Sequence, residues 1–251
     1  MSGDATAREP RRLLTPEQLS RFQTLGHVPL GRVLGDGALE SLRAEELRLR
    51  GAAYPNLASE PPRSRSTFVQ MICDRSEPTR RFCQEGPHLD AVEEVLGPNL
   101  CQLFDQYVTK LPDPGTGVTA FPWHQDNFFA YVLPPRAVSV WVALDATDER
   151  NGCLWFLPGS HLRGLLPHRK PTPGVPAQVE LAADGIPMPL EAGEAVLFSG
   201  FALHRSTPNH TDTPRRAFFV EYCEAGALRS DNRQPVARDA HTRIVRGRAL
   251  S

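Results

Sequence analysis

From residue 100 onward the chain is a succession of short runs rich in β-branched and aromatic residues: CQLFDQYVTK, AVSVWVAL, CLWFLP, EAVLFS, FALHRS and RAFFVEYC. Clusters of Pro, Gly and Asp separate them, and Asn151-Gly152 places a tight-turn signal between two of the runs. Short strands bounded by turns pack as a sandwich or jelly roll. AVSVWVAL has small or apolar residues at almost every position and reads as a central strand covered on both faces.

The front of the chain has a different texture. TPEQLSRFQTLG reads as a helix with Thr15 as cap, Pro16 in the first turn and Gln18 completing a capping box. DGALESLRAEELRLRG, from Asp36 to Gly51, reads as a second helix with an Asp cap and a Gly stop, and HLDAVEEVLGPN as a short third one. One short strand is expected near His27–Leu30. The expected fold is therefore mainly β, with N-terminal helices packed on one sheet.

A length of 251 residues allows one large domain or two small ones. No internal repeat or clear linker divides it, so a single domain over residues 15–251 is expected. It follows a disordered lead-in at 1–14 and ends in a basic tail at 226–251. A net charge of −1 gives no electrostatic reason to expect a nucleic acid or an anionic membrane as partner. The five cysteines are scattered and never spaced as CxxC, which argues against a disulfide framework or a zinc ribbon and for a reducing cytoplasm. No signal peptide and no apolar stretch of membrane-spanning length is visible. Two stretches resist regular structure: LPDPGTGVTAFP at 111–122, and the Pro/Gly-rich 163–189, a candidate lid loop.

HQDNFF, at 124–129, carries the chemistry. Two His and one carboxylate on one face of a metal form the facial triad of non-haem Fe(II) oxygenases. Residues i and i+2 of a strand share a face, so His124 and Asp126 can converge on one ion. Among the other histidines, His27 and His88 fall in the helical front part, His161, His168 and His210 in turns and loops, and His241 in the tail. His204 alone lies in a strand-like run, FALHRS, and is the candidate third ligand; on its own, a His in such a run is usually a core residue. Arg215 begins RRAFFVEYC eleven residues after His204. Were those two strands antiparallel neighbours, Arg215 would lie near the metal and grip a carboxylate in a bidentate pair. A dicarboxylate such as 2-oxoglutarate needs one such partner at its far end. Arg216 faces the other way and is the weaker candidate, while Ser206 shares a face with His204.

With its Trp141, NGCLWFLPGSH, His204-x-Ser206, Asn209 and Arg215, the chain resembles the phytanoyl-CoA dioxygenase family of Fe(II)/2-oxoglutarate-dependent oxygenases, from about Leu13 to Cys223. The resemblance implies a double-stranded β-helix, a cupin-like jelly roll with helices on its major sheet. It implies iron on His124, Asp126 and His204, 2-oxoglutarate on Arg215 and Ser206 beside Trp141, and further contacts from Gln106 and Gln70. It also implies O2 as co-reactant, with hydroxylation of a small molecule and release of succinate and CO2. Halogenating relatives replace the carboxylate ligand by a small residue, so Asp126 argues against halogenation. Phe128, Phe129 and Tyr131 are candidates for the substrate side. His161 is expected to support the framework, and Lys110 fits the family pattern without an assigned contact. The alternatives are an acyl-CoA hydroxylase, for which the arginine-rich tail is the only hint, a zinc hydrolase on the same ligands, and a jelly-roll module that binds without turnover.

Overall fold

The computed structural model describes residues 14–57, 66–113, 115–129, 132–169, 178–236 and 243–246. Helix α1 (Pro16–Leu25) has the expected capping box: the Thr15 hydroxyl accepts from Gln18 N, and Gln18 Oε1 from Thr15 N. Strand β1 (His27–Arg32) follows, and then α2 (Asp36–Ala53). The cap of α2 is Gly35 and not Asp36, whose carboxylate pairs with Arg32. The helix also runs past Gly51, held by buried Leu49 and the Glu46–Arg50 pair, and closes with Tyr54 N donating to Arg50 O. In this front part of the chain two elements went unread in the sequence. They are β2 (Ser66–Gln70) and α3 (Glu77–Glu85), although Ser76 and Pro78 are ordinary helix-start signals and Ser76 does cap α3. Helix α4 (Leu89–Leu96) is the expected third helix.

The remaining strands are β3 (Leu100–Lys110), β4 (Phe121–His124), β5 (Val132–Leu133), β6 (Ala137–Ala143), β7 (Leu154–Phe156) and β8 (Ile186–Met188). After them come β9 (Glu194–Ser199), β10 (His204–Ser206), β11 (Arg215–Glu224), β12 (Leu228–Arg229) and β13 (Arg243–Arg246). The major sheet runs β1-β9-β6-β11-β3-β13 with β2 also on β3, the minor sheet β4-β10-β7-β8, and β12 pairs with β5. Every strand pairing among the described residues is antiparallel, and the two sheets face each other as a jelly roll.

Alternation along the central strands sorts the two faces of the major sheet. Val138, Val140 and Val142 of β6 join Phe218, Val220 and Tyr222 of β11 under the helices, against Phe22, Leu42, Leu49, Phe82 and Val92. Trp141, Ala217 and Phe219 point the other way and meet Phe156 and Leu154 of the minor sheet. All seven residues of β6 are buried, as expected of a central strand covered on both faces. All five cysteines are buried, and none forms a disulfide.

Several expectations need correcting. Leu14, placed in the lead-in, is a buried core residue; residues 1–13 lie outside the described residues. Within the lid candidate, Ile186–Met188 is a strand of the minor sheet and Arg169 bridges Gln178; residues 170–177 lie outside the described residues. Of the basic tail, 228–229 and 243–246 are paired strands, while His241, Arg238 and Arg248 lie outside the described residues. Strands β10 and β11 are not neighbours: they belong to opposite sheets, joined by a connection that crosses between them. No helix among the described residues is long and apolar enough to cross a membrane.

Candidate active site

His124 is the last residue of β4, and His204, the first of β10, lies directly opposite it. Their rings stand 4.0 Å apart. Asp126 is not in the same strand as His124, contrary to the i, i+2 reading. The strand ends, Gln125 stays extended (φ −124°, ψ 133°), and Asp126 opens a single 3-10 turn. That turn is anchored by Asn127 N, which donates to Gly200 O at 2.9 Å. A Cβ on Gly200 would meet Asn127 Oδ1 at 2.1 Å, so the close approach requires glycine.

The three side chains converge between the sheets. Asp126 Oδ1 is 3.7 Å from His124 Nε2 and 3.6 Å from His204 Nε2. Cis ligands about 2.1 Å from one ion stand roughly 3 Å apart, so little adjustment is needed to hold a metal. Among the described residues this is the one His/Cys/Asp/Glu group that gathers in this way. The surroundings prepare each ligand atom. His124 Nδ1 lies 2.8 Å from Pro122 O and His204 Nδ1 3.0 Å from Ala202 O, so each ring donates through Nδ1 and leaves the Nε2 lone pair free. Burial, with the neighbouring His204, pushes His124 well below the usual histidine range and keeps it a neutral ligand. Ser139 Oγ donates to Asp126 Oδ2 at 2.7 Å, leaving Oδ1 for the ion.

Two lobes meet at the triad. The smaller, about 70 Å³, is lined by Trp141, Leu154, Ser206, Lys110 and Arg215. Arg215 is 2 % exposed, its guanidinium lies 5.3 Å from the Trp141 ring centre, and its Nε and Nη1 have no hydrogen-bond partner among the described residues. Burial lowers its pKa from the usual 12.5 to about 10. A buried guanidinium with free donors calls for an anion, and a dicarboxylate reaching from the triad to Arg215 fits the donor set. The expected neighbour relation between β10 and β11 is wrong, yet the sandwich brings the two residues together from opposite sheets. Lys110 lies beside Arg215 with its ammonium on Thr207 O, and burial pulls its pKa well down. Arg216 points away and forms a two-pronged pair with Asp145, at 2.8 and 2.7 Å.

The larger lobe, about 380 Å³, is bounded by Phe68, Phe104, Phe121, Phe129 and Phe219, with Gln70, Gln106 and Glu221 as its polar groups besides His124 and Asp126. Gln106 borders both lobes, and Gln70 sits at the rim. Phe129 is 54 % exposed at the mouth. Phe128 does not line the lobe; it stacks on His168, ring centres 4.1 Å apart. Tyr131 lies outside the described residues. His161 holds framework contacts, its Nε2 3.0 Å from Gln23 O, and His27 and His88 are buried packing residues.

Sequence reasoning missed Ser139, Glu221 and Gln125. The amide of Gln125 spans to Gly164 O and Phe201 O and accepts from Leu166 N, and its backbone N donates to His168 Nε2. It thereby ties the turn between the two ligands to the start of the lid candidate. A Gln placed between His124 and Asp126 was the available signal. Nothing in the sequence singled out Ser139 or Glu221.

Jelly-roll sandwiches carrying such a triad between their sheets form the iron- and 2-oxoglutarate-dependent oxygenases, and fold and site together point to that class. The chain belongs to the phytanoyl-CoA dioxygenase (PhyH) family, whose model matches residues 22–217. It is 31% identical over 176 residues to a phytanoyl-CoA dioxygenase domain-containing protein 1 of Mus musculus, covering 66% of this chain and 60% of that protein. It is 28% identical to the methylphosphonate hydroxylase of Gimesia maris, covering 83% of this chain and 80% of that one. Among solved structures, the apo form of the non-heme monooxygenase ThoJ matches with a TM-score of 0.71 at 27% identity, covering 91% of this chain and 83% of that one.

Proposed function

We propose that this protein is an Fe(II)/2-oxoglutarate-dependent dioxygenase that hydroxylates an unactivated C–H bond of a small molecule, a secondary metabolite or similar compound. The observation that carries this reading is the buried Arg215 guanidinium, whose Nε and Nη1 have no partner among the described residues, in the same small lobe as the His124–Asp126–His204 triad. A zinc hydrolase on the same ligands leaves Arg215 without a purpose.

In this reading His124, Asp126 and His204 hold the iron. Iron held there with 2-oxoglutarate and O2 would supply the oxidising chemistry, with succinate and CO2 as the co-products of 2-oxoglutarate. The chain's own groups supply the rest. Ser139 holds the Asp126 carboxylate in one orientation, and the two Nδ1 contacts fix the imidazole tautomers. Arg215 and Ser206 take the far carboxylate of 2-oxoglutarate, and Trp141 walls its chain from water. Gln106, on the border of both lobes, is placed to orient cosubstrate and substrate relative to each other. The phenylalanine-lined lobe keeps the substrate C–H bond in a water-poor space beside the triad. A carboxylate at Asp126 occupies the position a halide would need, which favours hydroxylation over halogenation.

The test is turnover under 18O2 with iron-loaded protein, measuring succinate and product together. Slow succinate formation alone, stimulated by a substrate that gains one labelled oxygen, supports hydroxylation. Succinate formed with an isomerised or cyclised, unlabelled product refutes hydroxylation within the class, and no succinate at all refutes a catalytic role.

A further inference from the structure

The larger lobe holds a carboxylate that the proposed oxygenase chemistry does not use. Glu221 is 3 % exposed, lines the lobe, and its Oε1 has no hydrogen-bond partner among the described residues. The other buried acids among the described residues are each held by side-chain hydrogen bonds. Asp105 accepts from Ile72 N, Cys73 N and Gln102 Nε2, Asp113 from Thr116 and Thr119, and Glu46 from Arg50 and Thr109. Glu46 Oε2 is also left without a partner, but Glu46 is held through its Oε1, whereas Glu221 has no such anchoring bond among the described residues, and a buried carboxylate is costly without a partner.

Its position is set by the strand. Arg215, Ala217, Phe219 and Glu221 alternate onto the face of β11 that looks between the sheets. Six residues of strand put Glu221 roughly 20 Å from Arg215, too far to pair with it. Phe219 lies between them and borders both lobes. Across the sheet Glu221 is directly opposite Ser139, the residue bonded to Asp126. The unpartnered oxygen therefore sits on the substrate side, close to the triad. No Lys or Arg is among the described residues that line this lobe, and five phenylalanine rings form its walls. A carboxylate set among aromatic rings with no cation of its own is the chemistry that receives a positively charged nitrogen, held by charge on one side and by ring faces on the others.

We infer that the substrate carries an alkylammonium group that docks against Glu221 within the phenylalanine walls, placing the neighbouring C–H bond at the triad. The inference rests on the oxygenase reading only for which lobe takes the substrate. It disfavours phosphonates and CoA thioesters with their anionic end in this lobe.

The test uses an isosteric pair, choline and its uncharged analogue 3,3-dimethylbutanol, with Co(II)-loaded protein and 2-oxoglutarate. Paramagnetic broadening of each probe's methyl proton signal gives its affinity near the metal. Choline should bind at least tenfold more tightly than the alcohol, and Glu221→Gln should bring the two within about twofold. Phe129→Leu, at the exposed mouth where folding is not at stake, should weaken choline about threefold and leave the alcohol unchanged. Equal or tighter binding of the alcohol by wild type, or an unaltered ratio in Glu221→Gln, overturns the inference. The Fe(II)–2-oxoglutarate charge-transfer band of the wild type is recorded separately. Its absence strikes the oxygenase reading, while the probe ratio still judges Glu221.

Discussion

Replacing Arg215 by Met should make the free protein more stable and the cosubstrate complex weaker. The guanidinium is 2 % exposed, and burial holds its pKa near 10 in place of 12.5, a displacement worth on the order of 3 kcal/mol against the charged form in the fold. Met fills similar volume without charge. It forfeits the stacking on Trp141, about 1 kcal/mol. The net expectation is roughly 2 kcal/mol of added stability, or a Tm rise of about 4–8 °C for a chain of this length. Binding moves the other way. Truncating one side of a buried charge pair costs about 2–5 kcal/mol, so 2-oxoglutarate should bind about 30-fold to several thousand-fold more weakly. The assay is thermal melting with and without 2-oxoglutarate and Mn(II). At about 100 times Kd the ligand should stabilise the wild type by roughly 2.7 kcal/mol, and at that concentration it should leave the variant nearly unmoved. An Arg215→Met protein that melts below the wild type, and that 2-oxoglutarate raises as much as the wild type, would refute the reasoning.

Other expectations concern the residues around the triad. Ser139→Ala should weaken metal binding about 10- to 100-fold by freeing the Asp126 carboxylate, read by metal titration; unchanged affinity would deny Ser139 its orienting role. Gln125→Ala removes the partner of Gly164 O, Phe201 O and Leu166 N and should cost about 3 kcal/mol, seen in chemical denaturation. His27 is buried against Phe156, and burial lowers its pKa from 6.5 to about 4, so it is neutral in the fold. Its contribution is therefore present above pH 6.5 and lost as the pH falls toward 4, up to about 3 kcal/mol. His27→Phe should flatten the fall in Tm over that window, and an equally steep fall in the variant would contradict the assignment.

Much of this architecture was legible because apolar runs and turn residues fix strands locally. All of β6 is buried, as AVSVWVAL indicates, and the capping box of α1 was readable residue by residue. The triad was readable because His-x-Asp and a distant His in an apolar run are local patterns. Which sheet a strand joins was not. The connection between β10 and β11 crosses the sandwich, so the expected hairpin was wrong while the meeting of His204 and Arg215 across the cavity was right. Ser139 and Glu221 stayed hidden for the same reason. Each is one polar residue in a strand, and its role appears only when the register places the two opposite each other beside Asp126. Phe128 and Phe129 are adjacent in sequence, and only the 3-10 turn decides that one meets His168 and the other the phenylalanine-lined lobe.

Anaerobic titration of the protein with Fe(II) and 2-oxoglutarate, followed by visible absorption, tests the site most directly. The wild type should develop the metal-to-ligand charge-transfer band of a keto acid chelated to iron. His204→Ala should abolish it, and Arg215→Ala should demand far more 2-oxoglutarate to reach it. No band in the wild type, or a band unchanged in both variants, would contradict an iron and 2-oxoglutarate site built on these residues.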